Sequence, residues 1–218
     1  MTSSIGTGLD LSLYLITDTD MCQRHGIVRT VHDAVQAGVT VVQLRDPRAS
    51  DRDFVALGHL VRSALRGTDV PLIVNDRVHL VEEIGAQGVH LGQSDTDPGK
   101  ARSILGPRRY LGLSVSTHEQ VEQARRHPAG TIDYLGVGPV WTTATKPDHD
   151  QPLGTEGAAE VVAMSPWPCV LIGGVSIERV PKLRRCGAEG VAVVSAICAA
   201  VDVTSVAAAL RAAWEAQS

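Results

Sequence analysis

Two aspartates follow short apolar runs of the sequence, and carboxylates in such positions are suited to hold a divalent cation. Asp76 comes directly after the run Leu72–Asn75, and Asp95 comes shortly after the run Gly88–Leu91. Proteins commonly hold Mg²⁺ with one or two carboxylates, completed by water and phosphate oxygens. If the two runs are neighbouring strands, both carboxylates can converge on one ion. The alternative is that Asp76 caps a helix and Asp95 opens a turn.

Two basic residues are candidates for binding phosphate. Arg45 follows the run Val39–Leu44, and its planar guanidinium can form two parallel hydrogen bonds with phosphate oxygens. Lys146 lies in a small, polar, proline-flanked segment that we interpret as a loop, where it would act as a point charge. The alternative for both residues is a salt bridge at the surface. The lysine in particular is ambiguous on its own.

A second phosphate site is indicated nearer the C-terminus. Gly173-Gly174 and Val194-Ser195 each end an apolar run. Backbone N–H groups in such turns, and at the start of a short helix, bind phosphate in many barrels, and glycine allows close backbone approach. The alternative is a tight turn followed by a helix whose N-cap is Ser195. Two separate sets of phosphate-binding features predict two phosphorylated substrates, or one long substrate.

The elements that position these residues are predicted from an alternation of short and long segments. Brief runs rich in Val, Ile and Leu predict strands, and longer stretches with apolar residues at helical spacing predict helices between them. In the first helix, for example, Ile27 and Val31 share one face. The predicted strands are Leu13–Thr17, Val39–Leu44, Leu72–Asn75, Gly88–Leu91, Tyr110–Val115, Ile132–Val137, Cys169–Ile172 and Gly190–Val194.

Capping residues support the predicted helix boundaries. Ser50, Thr117 and Ser176 are predicted to begin helices, because their hydroxyls can accept a hydrogen bond from a free backbone N–H of the first turn. Gly85 and Gly187 are predicted to end helices, because the residue after a helix often adopts a left-handed conformation.

Eight strands, each followed by a helix or a crossover of helical length, predict a closed parallel barrel. We therefore expect a single-domain α/β protein, a (β/α)8 or TIM barrel over residues 1–218, with residues 1–10 as a disordered extension. Such a barrel has its active site at the C-terminal ends of the strands, where the polar residues described above occur. The main alternative is an open doubly wound sheet, which is disfavoured because no G-x-G-x-x-G follows the first strand.

Composition and charge exclude several classes of protein. Hydrophobic residues make up 44% of the chain and aromatic residues only 3%, which suits parallel strands buried on both faces by aliphatic side chains. The net charge is −4 with no basic stripe, so nucleic acid is not an expected partner. No segment has the features of a signal peptide or a membrane span, so we expect a cytoplasmic protein without a membrane partner. The four cysteines are predicted to fill the core, and we predict no zinc site.

These motifs, taken in order, closely resemble those of the thiamine phosphate synthase family. The resemblance extends from Leu13–Asp18 to Val193–Ile197, which is essentially the whole chain. It implies a (β/α)8 transferase that joins a hydroxymethylpyrimidine diphosphate to a thiazole phosphate and releases pyrophosphate, giving thiamine phosphate. The most specific matches are Val41–Arg45, Asn75-Asp76, Gly88–Asp95, Gly136–Val140 with Thr143–Lys146, and Ile172–Val175.

The resemblance also implies a mechanism and a role for each matching residue. Pyrophosphate departs first, a pyrimidinylmethyl cation forms, and the thiazole nitrogen captures it. Asp76 and Asp95 are implied to be Mg²⁺ ligands, and Arg45, Ser114 and Lys146 to be catalytic. The implied pyrimidine diphosphate site consists of Gln43, Leu44, Arg45, Asp46, Pro47, Asn75, Ser114 and Lys146. The implied thiazole phosphate site consists of Thr143, Ala144, Thr145, Gly174, Val194 and Ser195.

One position departs from the family's pattern. The family often has Arg-Glu-Lys where this chain has Arg45-Asp46-Pro47. The second cation is therefore missing, and Pro47 has no backbone N–H to replace it. Arg48, one residue further on, is a candidate substitute. We predict that pyrophosphate binding depends more heavily on Arg45 and Lys146 in this chain.

Two other functions are compatible with the same barrel. A paralogue resembling the thiazole tautomerase would use a histidine as its acid–base group. Many such relatives have histidine where this chain has Ser116, and His118 is expected to lie on the following helix. A non-catalytic barrel that binds a phosphate ligand would not need two converging carboxylates. Retention of both aspartates, Arg45 and Lys146 favours the synthase. The sequence is compatible with a homo-oligomer, and it leaves open whether the thiazole is carboxylated or aromatic.

Overall fold

Eight short parallel strands form a closed barrel in which each strand pairs with its neighbours in sequence and the last pairs with the first. The structure is a computed structural model that describes residues 8–142 and 151–216. It confirms the predicted (β/α)8 barrel. The strands are β1 (Leu13–Ile16), β2 (Val41–Leu44), β3 (Leu72–Asn75), β4 (Gly88–Leu91), β5 (Tyr110–Val115), β6 (Tyr134–Val137), β7 (Cys169–Ile172) and β8 (Gly190–Val193).

Four strands, β3, β4, β5 and β7, have the predicted bounds, and the other four are shorter by one or two residues. Strand β2 begins at Val41 rather than Val39 because the N–H of Val39 donates to Ala34 O, at the end of the preceding helix. Strand β8 ends at Val193 because the backbone turns at Val194 to begin a short helix. In β2 and β8, local backbone structure therefore makes the strand shorter than the apolar run in the sequence.

Helices surround the barrel and fill most of the crossovers between strands. They are α1 (Ile27–Gln36), α2 (Asp51–Ala64), α3 (Val81–Ile84), α4 (Pro98–Leu105), α5 (His118–Ala124), α6 (Gly154–Met164), α7 (Val180–Leu183), α8 (Ser195–Cys198) and α9 (Val203–Glu215). Short 3-10 turns accompany them at Met21–Arg24, Val78–Leu80 and Arg184–Cys186. No helix in the described ranges is long and apolar enough to cross a membrane.

Most of the predicted caps are confirmed. Ser50 accepts a hydrogen bond from the N–H of Asp53, and Thr117 accepts one from the N–H of Gln120. Gly85 and Gly187 end helical turns with left-handed φ values of 71° and 81°. The prediction for Ser176 is wrong. Its hydroxyl donates to the Glu178 carboxylate, and α7 begins only at Val180.

The core has two layers because side chains on each strand alternate between the barrel interior and the surrounding helices. The outer layer contains Leu13, Leu15, Val42 and Leu44 and is packed against the helices. The four cysteines are all buried and unbridged, which confirms their predicted place in the core. The inner layer consists of Leu11, Tyr14, Ile16, Val41, Ile73, Tyr134, Val170 and Ala192. Two members of this layer, Tyr14 and Tyr134, carry hydroxyl groups. They matter for the site because the next inward-facing side chains along the strands lie at the open end of the barrel.

The start of β8 approaches the two residues just before β1 so closely that only glycine fits. A Cβ atom built on Gly190 would lie 1.7 Å from the carbonyl oxygen of Leu11. That oxygen belongs to the backbone, so the clash cannot be relieved by rotating a side chain. Gly157 is the opposite case: it lies inside α6, where a Cβ atom would make an ordinary contact at 3.5 Å with Leu153.

We therefore expect Gly190→Ala to weaken the closure of the barrel and to lower the free energy of unfolding by about 2–3 kcal/mol. The matched control Gly157→Ala should leave stability unchanged or raise it by about 0.5–1 kcal/mol, because alanine favours a helix interior. Chemical denaturation of both variants measures these differences. A Gly190→Ala variant as stable as the parent would contradict this packing.

Candidate active site

A pocket opens at the C-terminal ends of the strands, and every strand of the barrel contributes to its lining. Its lower part reaches the inner core layer at Tyr14 and Val170, and its upper part is formed by the residues that follow the strands. Half of the residues assigned by sequence to the two substrates are brought together there. The predicted residues that line it are Gln43, Arg45, Asn75, Ser114, Gly174, Val194 and Ser195.

Arg45 is held at the edge of this pocket by the loop that follows β1. Its backbone N–H donates to the hydroxyl of Thr17 at 3.0 Å, and its guanidinium lies 3.7 Å from the Asp18 carboxylate. Only 21% of the Arg45 side chain is exposed, so the charge is partly withdrawn from solvent. A partly buried cation interacts with a phosphate more strongly than an exposed one, because water screens it less.

The residues after Arg45 form a tight turn. The Asp46 carboxylate accepts hydrogen bonds from the hydroxyl of Thr19 at 2.6 Å and from the N–H groups of Arg48 and Ala49. Desolvation by burial acts to raise the pKa of Asp46, but these hydrogen bonds together lower it. The carboxylate of Asp46 is therefore engaged in shaping the loop. Its neighbour Pro47 is exposed.

Arg48, the candidate substitute for the missing lysine, is directed toward another partner. Its guanidinium forms an ion pair with Asp20, and 70% of its side chain is exposed. It is absent from the pocket lining, whereas Arg45 belongs to it. Leu44 also faces away, since its side chain is fully buried in the outer core layer. A contact from Leu44 to a ligand would have to come from its backbone.

Asp76 lies at the end of β3 in a left-handed conformation, with φ at 60°. This conformation is unfavourable for a residue with a Cβ atom, and such strain is concentrated at functional sites in proteins. The N–H of Asp76 donates to the carbonyl of His90 at 2.9 Å, which ties it to the neighbouring strand β4. The side chain itself is exposed at the open end of the barrel.

Asp95 is held near the end of β4 by a turn. Its Oδ2 atom accepts a hydrogen bond from the N–H of Gly92 at 2.6 Å. Since Gly92 directly follows β4 and Asp76 directly follows β3, the two aspartates lie at the ends of paired strands. Both offer the hard oxygen ligands that Mg²⁺ prefers. Among the described residues no group of three or more His, Cys, Asp or Glu side chains is placed to hold a metal ion, so this set would depend on phosphate and water oxygens.

A chain of hydrogen bonds crosses the floor of the pocket. The Gln43 amide donates to the Tyr14 hydroxyl at 2.9 Å, and the hydroxyls of Tyr14 and Tyr134 lie 2.8 Å apart. Tyr134 is 3.2 Å from Nδ1 of His90, whose Nε2 is 2.9 Å from the Ser114 hydroxyl. Complete burial raises the pKa of both tyrosines, so both hydroxyls stay protonated. The five groups form one connected polar network.

Sequence reasoning missed the two tyrosines of this network. A signal was available, because the chain has only three tyrosines and all three fall within predicted strands. Tyrosine in a buried barrel strand must place its hydroxyl beside a partner. Which strand supplies that partner depends on the barrel's register, and a single sequence does not specify it.

The loops after β7 and β8 line the opposite side of the pocket. Gly173 and Gly174 have positive φ values of 102° and 66°, which glycine adopts readily. The carbonyl of Gly174 accepts a hydrogen bond from Arg179 at 2.6 Å, and that guanidinium stacks 4.8 Å above the ring of Trp141. Ser195 is the first residue of α8 and not its N-cap, which is Val194. Its side chain is exposed at the pocket.

Thr143, Ala144, Thr145 and Lys146 lie outside the described residues, so their assigned roles stay predictions. His118 is the first residue of α5, as predicted, and its ring lies 3.9 Å from Glu160. The Ser116 hydroxyl donates to the carbonyl of Gly138 at 2.8 Å.

Comparison with solved structures first identifies the fold, and a more similar structure then points to a family. The barrel resembles that of 3-hexulose-6-phosphate synthase with a TM-score of 0.65 at 17% identity, a likeness of fold alone that covers 93% of this chain and 99% of the other. A closer likeness is to thiamine phosphate pyrophosphorylase from Pyrococcus furiosus, with a TM-score of 0.85 at 31% identity over 95% of this chain and 96% of the other.

The sequence comparisons identify the family. Residues 13–197 match the family model described as thiamine monophosphate synthase. The thiamine-phosphate synthase of Azorhizobium caulinodans is 45% identical over 93% of this chain and 94% of its own length. That of Xanthobacter autotrophicus is 47% identical over 94% of this chain and 95% of its own length. The chain belongs to the thiamine monophosphate synthase family.

Proposed function

We propose that this protein is a transferase that joins hydroxymethylpyrimidine diphosphate to a thiazole phosphate, giving thiamine phosphate and pyrophosphate. Its family membership supports this function. The structural observation that carries the proposal is that one pocket is lined on one side by Gln43, Arg45 and Asn75 and on the other by Gly174 and Ser195. These sides match a diphosphate and a monophosphate that must meet in a single reaction.

The proposed reaction is dissociative. The bond between the pyrimidine methylene carbon and the diphosphate oxygen breaks, and its electron pair leaves with pyrophosphate. The lone pair of the thiazole nitrogen then forms a bond with the methylene carbon. Such a reaction needs little covalent help from the protein. It needs neutralisation of the charge that develops on the leaving group and correct placement of the second substrate.

The residues around Arg45 are suited to hold the leaving group. We assign to its guanidinium the role of binding pyrophosphate oxygens, with the ion pair to Asp18 keeping it in place in the absence of a ligand. Lys146 is assigned a second positive charge by the family resemblance. Arg48 is paired with Asp20. We therefore propose that Arg45 is the residue of this loop that contributes most to binding pyrophosphate.

We further propose that Asp76 and Asp95 hold Mg²⁺ together with diphosphate oxygens. When bound, the ion would neutralise part of the negative charge on the leaving pyrophosphate. The strained backbone of Asp76 and the hydrogen bond that Asp95 accepts from Gly92 support this assignment, since both hold a carboxylate at the ends of paired strands.

On the other side of the pocket, we propose that the thiazole phosphate is bound by the turn at Gly174, by Val194 and by Ser195. Thr143, Ala144 and Thr145 complete this set by the family resemblance. The positive φ of Gly174 and the position of Ser195 at the start of α8 support it, since both leave backbone N–H groups available near the pocket.

The alternative of a tautomerase-like paralogue has less support. Such an enzyme needs an acid–base histidine after β5, where this chain has Ser116 with its hydroxyl bonded to Gly138. His118 is exposed on α5 beside Glu160 and is absent from the pocket lining. A barrel that only binds a phosphate ligand would have no use for Arg45 on the other side of the pocket, or for the two aspartates that follow β3 and β4.

The proposed function is tested by mixing the protein with both substrates and measuring pyrophosphate and thiamine phosphate. We expect both products to appear together, and to require Mg²⁺ and both substrates. Removal of Mg²⁺ by a chelator should stop the reaction, and renewed addition should restore it. Binding of the thiazole phosphate without any release of pyrophosphate would contradict the proposal and favour the non-catalytic barrel.

The metal assignment predicts the behaviour of Asp76→Asn and Asp95→Asn. Each should raise the Mg²⁺ concentration needed for half-maximal activity by about tenfold or more, because an amide replaces a charged ligand. The control is Asp69→Asn, an exposed residue that precedes β3 at the opposite end of the barrel. A Mg²⁺ titration of activity measures the effect. Unchanged Mg²⁺ dependence in both site variants would contradict the assignment.

The two arginines of the β2 loop provide a matched pair. Arg45→Ala should lower kcat by about 10²–10³-fold, because a charge that stabilises the leaving group is lost. Arg48→Ala should leave kcat/KM within about twofold, because it removes only an exposed ion pair. Steady-state kinetics with the pyrimidine diphosphate varied distinguish the two. Near-normal kcat/KM in Arg45→Ala, or an equal loss in both variants, would overturn the role given to Arg45.

A further inference from the structure

The hydrogen-bonded network on the pocket floor links two residues that the family resemblance assigns to the pyrimidine. Gln43 lies at one end and Ser114 at the other, joined through Tyr14, Tyr134 and His90. The network crosses the barrel from β2 to β5. The three linking residues have no role in the function proposed above, yet all four hydrogen bonds have ordinary lengths between 2.8 and 3.2 Å.

The barrel is shaped to let this network form. A Cβ atom on Gly112 of β5 would lie 2.2 Å from Cζ of Tyr134 and 2.5 Å from Nδ1 of His90. A Cβ atom on Gly136 of β6 would lie 3.0 Å from Cε1 of His90. Both glycines leave room for the rings of His90 and Tyr134, whose centres lie 5.5 Å apart. Any side chain at Gly112 would displace one of these rings.

The direction of the protons along the network follows from its donors. Gln43 donates to the Tyr14 oxygen, which leaves the Tyr14 proton to donate to Tyr134. Tyr134 in turn donates to Nδ1 of His90. In the opposite direction, the Tyr14 oxygen would accept from both neighbours, and the hydrogen bonds of the described residues would offer its own buried proton no acceptor. A buried donor without a partner is unfavourable, so the first direction is preferred.

This direction determines the tautomer of His90. If Nδ1 accepts from Tyr134, the proton of the neutral ring is on Nε2, which donates to the Ser114 oxygen at 2.9 Å. The Ser114 hydroxyl proton is then free to donate into the pocket. A ring nitrogen of a pyrimidine is an acceptor with a lone pair in the plane of the ring, and it is the group that such a donor would recognise.

We infer that His90 is a positioning residue that fixes Ser114 as a hydrogen-bond donor to a ring nitrogen of the pyrimidine. The inference rests on the proposed function, because the family resemblance assigns Ser114 to the pyrimidine substrate of that reaction. His90 acts through Ser114, so its removal should affect the pyrimidine diphosphate and not the thiazole phosphate.

A double-mutant cycle between His90 and Ser114 tests the kinetic part of the inference. The variant His90→Asn keeps an acceptor near the Nδ1 position but cannot reach Ser114. We expect it to lower kcat/KM for the pyrimidine diphosphate by about tenfold, the effect of one buried hydrogen bond, and to leave the KM for the thiazole phosphate within about twofold. In a Ser114→Ala background, His90→Asn should cause no further loss, because the residue through which it acts is already absent.

The longer variant His90→Gln provides the conservative control. Its amide can reach Ser114 as a donor, so it should recover part of the activity lost in His90→Asn. Thermal unfolding of each variant establishes that the fold is retained. Losses that multiply in the double variant, or equal effects on the KM values of both substrates, would show a general structural role and overturn the inference.

The tautomer is tested without any substrate, so this test is independent of the proposed function. In ¹⁵N-histidine-labelled protein, NMR correlation spectra distinguish Nε2–H from Nδ1–H, and the His90→Gln or His90→Asn spectrum assigns the signal. We expect His90 in the Nε2–H form at mildly alkaline pH, and Tyr134→Phe to alter its Nδ1 signal. An Nδ1–H form would overturn the inference even if the protein releases pyrophosphate. An inactive parent protein with the Nε2–H form would instead contradict the proposed function.

Discussion

The backbone hydrogen bonds between β8 and β1 close the sheet on itself, and the site depends on this closure. Once the sheet is closed, alternate side chains of all eight strands share one interior of fixed width. Aliphatic side chains fill its lower part, together with the rings of Tyr14 and Tyr134. Polar side chains in the next layer cannot reach water freely, so they must satisfy one another. The network from Gln43 to Ser114 is the result.

Closure also separates two kinds of chemistry within one pocket. The floor offers neutral hydrogen-bonding groups, since burial keeps both tyrosine hydroxyls protonated, and such groups suit an uncharged ring. The rim offers charge and backbone N–H groups, with Arg45 on one side and the turn at Gly174 on the other. The two aspartates follow the neighbouring strands β3 and β4 and are not part of the pocket lining. We interpret this division as the basis for bringing a diphosphate and a monophosphate together over a heteroaromatic ring.

The sequence predicts the barrel well because the signals for a strand and for its end are local. The β-rich runs give four strands with their bounds, and the polar residues that follow Leu44 and Asn75 indicate the open end. It fails where a side chain is positioned by a distant residue. The pairing of Arg48 with Asp20 and the contact of Tyr14 with Tyr134 depend on the three-dimensional arrangement of separate strands. The wrong prediction for Ser176 has a different cause. Its hydroxyl donates a hydrogen bond to the nearby Glu178 carboxylate and does not cap a helix.

The central claim is that one pocket holds the pyrimidine on the floor, the diphosphate beside Arg45 and the monophosphate at the β7 and β8 loops. A crystal structure with thiamine phosphate, pyrophosphate and Mg²⁺ tests it most directly. We predict pyrophosphate between Arg45 and the two aspartates, the pyrimidine ring within hydrogen-bond distance of Ser114, and the product's phosphate against Gly174 and Ser195. A product bound in the reverse orientation, with its phosphate beside Arg45, or bound outside this pocket, would contradict the claim.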